Sequence, residues 1–164
     1  MSQLLENLKS LLDQYGRSIV DDMKKTAVHS TSCIDTYVPD SPGVYWIETT
    51  MPVEEMRIAI SNVIGKNKRI RKTPPKSAAL IRQNASDYYV AYSGTEDDIR
   101  KRLKQHLFNE GHANTIKLGC VIDEEPFSNY QWRIGFAEID SYEFRYAVEA
   151  WWRLNVGWPP FCLR

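Results

Sequence analysis

Arg102 and His106 stand one helical turn apart in Ile99 to Leu107, a stretch whose apolar residues recur at helical spacing. By the i, i+3, i+4, i+7 rule they share a face with Ile99, Leu103 and Leu107. Arg100, Lys101, Lys104 and Gln105 point away from that face. An arginine and a histidine on a face that packs towards a sheet are costly to bury without polar partners. The guanidinium offers a planar fork to phosphate oxygens. The imidazole can share a proton transfer near neutral pH. Glu149, in the middle of a late helix with apolar neighbours, is a hard oxygen ligand suited to one Mg²⁺ that keeps most of its waters. Taken singly, each residue also fits a plainer role: the polar edge of an amphipathic helix, a satisfied histidine, a solvated glutamate.

The elements that would carry these groups can be read in order. Leu4, Leu5, Leu8, Leu11, Leu12, Tyr15, Ile19 and Met23 predict an amphipathic helix over Gln3 to Lys25, which packs on the core or on a second copy of itself. Val28 to Ser41 reads as a loop, and Gly43 to Glu48 as an apolar strand. Pro52 opens a second helix that runs to about Ile64 and is closed by Gly65, with Met56, Ile58, Ile60 and Val63 as its apolar positions. A strand over Tyr88 to Gly94 leads into the Arg102 helix, with Thr95 as N-cap and Asp98 completing a capping box. His112 lies in a Gly-containing loop beyond it. Thr115 to Ile122 and Tyr130 to Ile139 read as strands. Asp140 then caps a last helix, Ser141 to about Leu154, with Glu143 completing the box. This interleaving predicts an α+β (mixed α/β) fold, a small, mostly antiparallel central sheet flanked by helices. Residues 1–41 form an N-terminal helix and loop on the core. Residues 42–164 form the main domain, with an inserted helix and basic arm over 50–86.

At 164 residues the chain is long enough for one domain with a real core. Lys plus Arg equals Asp plus Glu, 21 each, which argues against a protein that coats nucleic acid by bulk charge but leaves room for a local basic groove. Lys66, Lys68, Arg69, Arg71, Lys72 and Lys76 supply one such cluster, and Pro74 and Pro75 keep it out of regular structure. It reads equally as a solvated loop or as a phosphate-contacting arm. Cys33, Cys120 and Cys162 are few, distant and odd in number, so a structural zinc site is not expected and reduced thiols in the cytoplasm are. No apolar run is long enough to span a bilayer, and the N-terminus lacks the pattern of a signal peptide.

Together, Gly43-Val44-Tyr45 on one strand, Tyr92-Ser93-Gly94 on another, Arg102 and His106 on the next helix and Glu149 on a late helix resemble the GIY-YIG nuclease superfamily. The resemblance covers Gly43 to about Leu154. Three features depart from the family pattern. Ser93 stands where the second motif has isoleucine. The two motif strands are separated by a long insertion, of the kind seen in the restriction-enzyme branch. Asn155 follows Glu149 closely, whereas the family often has an Asn well downstream.

The resemblance implies an Mg²⁺-dependent DNA endonuclease, of type II restriction character. It gives Tyr45 the role of proton relay and places Tyr92 beside it to hold water or phosphate. Arg102 would grip phosphate, His106 would orient Tyr45, and Glu149 would carry the metal. The basic cluster and the Pro52 helix would contact DNA. A repair or structure-specific nuclease, and a non-catalytic DNA-binding protein of the same fold, are the alternatives. Cutting both strands requires a homodimer or two successive nicks, and the N-terminal helix is a candidate dimer element.

Overall fold

A computed structural model describes residues 2–62, 78–83, 87–111, 115–116 and 124–162. Its order is α1 (Ser2–Asp21), β1 (Lys24–Ala27), α2 (Thr31–Tyr37), β2 (Gly43–Thr49), α3 (Val53–Asn62), β3 (Tyr89–Glu96), α4 (Ile99–Leu107), a short 3₁₀ turn at Phe127–Asn129, β4 (Trp132–Glu138) and α5 (Tyr142–Asn155). The strands form one antiparallel sheet in the order β1-β4-β2-β3. This is the expected α+β arrangement of a central sheet flanked by helices. Every residue of β2 is buried, as befits an inner strand with layers on both faces.

The two faces have separate cores. Tyr45, Ile47, Ala91, Ile134 and Phe136 pack with Ile99, Leu103 and Leu107 of α4, and with Ile34 and Val38 around α2. Val44 and Trp46, pointing the other way by strand alternation, pack with Val148, Trp151 and Trp152 of α5 and with Leu12, Ile19 and Val20 of α1. Helices α4 and α5 therefore cover opposite faces.

Several boundaries differ from those the sequence suggests. The first helix stops at Asp21, and Lys24–Ala27 joins the sheet as an edge strand, Lys25 opposite Gly135. Lysines suit both a helix surface and a protected sheet edge, so only the pairing decides. Lys25 is anchored there by its ammonium, 2.8 Å from the buried Glu48 carboxylate, which also holds Arg133. The expected loop over Val28 to Ser41 contains α2. It packs on α4, so three polar residues of α4 do not simply face water. Lys104 pairs with Asp35, Arg100 Nε donates to Val38 O at 2.6 Å, and Gln105 is buried.

Strand β3 runs two residues past Gly94, and the cap of α4 is Asp98, whose carboxylate accepts from Lys101 N at 2.9 Å, rather than Thr95. Thr95 is held extended by its pairing with Val44. The cap of α5 is Ser141, which accepts from Phe144 N, rather than Asp140. In α3 the core face is Met56, Ala59 and Ile60, and Ile58 is exposed. Val63, Gly65 and most of the strand expected over Thr115 to Ile122 lie outside the described residues.

Candidate active site

The register of β2 against β3 sets Tyr45 directly opposite Gly94 and Gly43 opposite Glu96. Both motif glycines sit where a side chain has no room. A Cβ on Gly94 would lie 2.6 Å from Tyr45 Oη, and one on Gly43 would lie 2.3 Å from Ala137 O. The phenol of Tyr45 thus reaches across the neighbouring strand into space that only glycine leaves open.

From α4, His106 meets that phenol. Its Nε2 lies 3.0 Å from Tyr45 Oη, and its Nδ1 accepts the Ile116 backbone N–H at 3.2 Å. A ring nitrogen that accepts an amide proton carries a lone pair, so the imidazole proton resides on Nε2. His106 therefore donates to Tyr45, and the Tyr45 oxygen is the acceptor. Both residues are almost wholly buried. The Tyr92 ring completes the cluster, its centroid 4.6 Å from that of His106 and 6.2 Å from that of Tyr45.

Burial pushes the Tyr45 phenol well above its ordinary value. Tyr92, Glu149 and Glu96 add to that shift, while the charge of Arg102 opposes it. Burial likewise raises Tyr92, helped by Cys162 and Glu149 and opposed by Arg153 and Arg102. Arg102 and Glu149 are thus close enough to act on both tyrosines, although their helices cover opposite faces of the sheet.

Among the described residues β3 pairs with a strand on one side only, and its other edge brings these groups together. Arg145, Glu149 and Arg153 fall one turn apart along one side of α5 and run beside this edge. Arg145 donates to Glu96 O and pairs with Asp97. Arg153 donates to Ser93 O at 3.0 Å and to Ser93 Oγ at 3.1 Å, and pairs with Glu149. Phe161 N closes a third carbonyl of the edge, that of Ala91, at 3.1 Å. Helix α5 and the segment after it thereby satisfy acceptors that an edge strand would leave to water. Glu149 is held by Arg153, one turn further along α5. Arg102, on the other face, pairs with Glu96.

Of the residues expected at the site, Tyr45, Tyr92 and His106 are in mutual contact, and Arg102 and Glu149 flank them, each in an ion pair. Asn155 donates its amide to Trp151 O at the end of α5. His112 and the cluster Lys66, Lys68, Arg69, Arg71, Lys72 and Lys76 lie outside the described residues.

Sequence reasoning missed Arg145, Arg153 and Glu96. The i, i+4 spacing of Arg145, Glu149 and Arg153 was there to be read, but their acceptors on β3 are distant in the chain. Among the described residues no group of three or more His, Cys, Asp or Glu side chains could hold a metal. Two carboxylates act on the tyrosine cluster, Glu149 and Glu96, each paired with an arginine; Glu149 is the hard oxygen donor that a hydrated magnesium ion would take, in competition with Arg153. No helix among the described residues is long and apolar enough to cross a membrane. No family model, curated protein or solved structure matches this chain.

Proposed function

We propose that this protein is an Mg²⁺-dependent DNA endonuclease of the GIY-YIG kind, of type II restriction character, cutting phosphodiester bonds in the cytoplasm. The observation that carries the reading is the placement of Tyr45. The two motif strands are antiparallel neighbours, and the last residues of the two motifs, Tyr45 and Gly94, face each other with His106 on the phenol.

Phosphodiester hydrolysis needs a proton acceptor for the attacking water, a stabiliser for charge on phosphorus and assistance to the leaving oxygen. Tyr45 is a neutral phenol at its raised value, so it would act as a relay, taking the proton of the attacking water as its own passes to the leaving oxygen, while the Nε2–H of His106 holds its oxygen in place. Arg102 supplies the planar fork for a phosphate oxygen, exchanging Glu96 for substrate. Glu149 would hold the metal, and when bound that ion supplies charge neutralisation and a lowered water pKa. Arg153, anchored on Ser93 of the edge strand, fixes the orientation of Glu149.

The test is plasmid cleavage with Mg²⁺. Discrete fragments are expected from the natural protein, with a loss of about 10²-fold or more in Tyr45→Phe, Arg102→Ala and Glu149→Gln. Cutting at the natural rate in all three variants would refute the assignment. Cutting confined to branched DNA would move the substrate to the repair class.

A further inference from the structure

Residues 2–11 of α1 are exposed all round, because Trp151 and the rest of α5 meet this helix only further along. Leu4, Leu5, Leu8 and Leu11 are each between 61% and 74% exposed there. Leu4, Leu8, Leu11 and Tyr15 follow at intervals of four, three and four residues, which is the spacing of a two-helix seam. At 3.6 residues per turn they lie within about 60° of one another around the helix. This stripe borders the face formed by Leu12, Gly16, Ile19 and Val20, which is spent on α5.

The border of the stripe on its open side is Asn7, Gln14 and Ser18, all uncharged, so two identical helices meet without like-charge repulsion. The remaining face carries Glu6, Lys9, Asp13, Arg17 and Asp21. That mixture lacks the cationic excess by which an amphipathic helix binds an anionic membrane. A helix end of this length has little stability by itself and gains it by covering its apolar stripe.

We propose that α1 is the interface for a second copy of this chain, the two helices pairing antiparallel about a two-fold axis between Leu8 and Leu11. The Tyr15 ring stands edge-on to Phe144 of α5, centroids 6.2 Å apart, and Phe144 is itself 59% exposed. Antiparallel pairing sets the projecting Leu4 end of one copy over the Tyr15 and Phe144 edge of the other, so the exposed apolar groups of both elements are covered by one contact. The inference goes beyond the nuclease reading and does not depend on it. Two joined copies would present two tyrosine clusters, one for each strand of a duplex.

Sedimentation of the natural chain over a range of concentrations tests it. The expected mass rises towards twice 19.0 kDa, while Leu8→Glu/Leu11→Glu stays at 19.0 kDa with an unchanged circular dichroism spectrum. Leu4→Gln/Leu8→Gln, a milder pair on the same stripe, is expected to raise the dimer dissociation constant by tenfold or more. A natural chain that stays monomeric at every concentration overturns the proposal. So does a dimer that survives both variants, or a monomer that floats with phosphatidylglycerol vesicles through α1. None of these readouts uses cleavage, so loss of the dimer and loss of the nuclease reading are told apart.

Discussion

Tyr45 and Gly94 share so little space that no side chain fits at Gly94 while the phenol is in place. Gly94→Ala places a methyl carbon 2.6 Å from the Tyr45 oxygen, which cannot retreat because His106 and Tyr92 lie against its ring. We expect a loss of about 1–3 kcal/mol in urea unfolding. Cleavage should be lost with it, because the phenol would be displaced from His106.

The same burial makes a pH prediction. The folded values of Tyr45 and Tyr92 lie above the unfolded value near 10. The folded protein therefore holds protons that the unfolded chain releases. Their contribution is fully present below about pH 10 and is lost as pH rises from there through the folded values. Unfolding free energy should fall on the alkaline side, and Tyr92→Phe should make that fall shallower.

At the scale of elements, the edge of β3 explains why Ser93 stands where the nuclease pattern has isoleucine. Ser93 is buried and accepts a hydrogen bond from Arg153, which in turn holds Glu149. The serine, the arginine and the glutamate form one polar string across two elements, and a buried charge makes each partner dependent on the others. Arg153→Met is expected to cost about 3 kcal/mol because it withdraws the cation from a nearly buried carboxylate. Ser93→Ile should cost about 1.5–3 kcal/mol by removing an acceptor from a charged donor. The Ser93→Ile/Arg153→Met double variant should cost less than the sum by about 1 kcal/mol or more, measured as a double-mutant cycle in urea. Additive costs would show that the string is not one unit.

For the molecule as a whole, the two-faced architecture separates two kinds of work. One face, with α2 and α4, buries His106 and sets Arg102; the other, with α1 and α5, supplies Glu149 and the exposed leucine stripe. They meet at one sheet edge, where the proposed chemistry lies. With zero net charge, the proposed DNA binding would draw on local cations rather than on the general field. Neutralising Lys68, Arg69 and Arg71 together is expected to weaken DNA binding and to flatten the slope of log affinity against log salt by about 3. A slope equal to that of the natural protein would remove these three residues from the interface.

Local pattern alone determined the apolar period of α1, α4 and α5, the two aromatic strands with their glycines, and the shared face of Arg102 and His106. Each depends on residues a few positions apart, and strand or helix geometry converts that spacing directly into a face. Tertiary structure decided the rest. Lys24–Ala27 is a strand because β4 lies beside it, and Thr95 stays extended because Val44 pairs with it. Arg153 is satisfied because Ser93, sixty residues earlier, turns its carbonyl to the same edge. Glu149 acts on the tyrosines from the opposite face because, among the described residues, β3 has a strand neighbour on one side only. Such outcomes depend on partners remote in the chain, and spacing within a segment carries no record of which remote group will arrive.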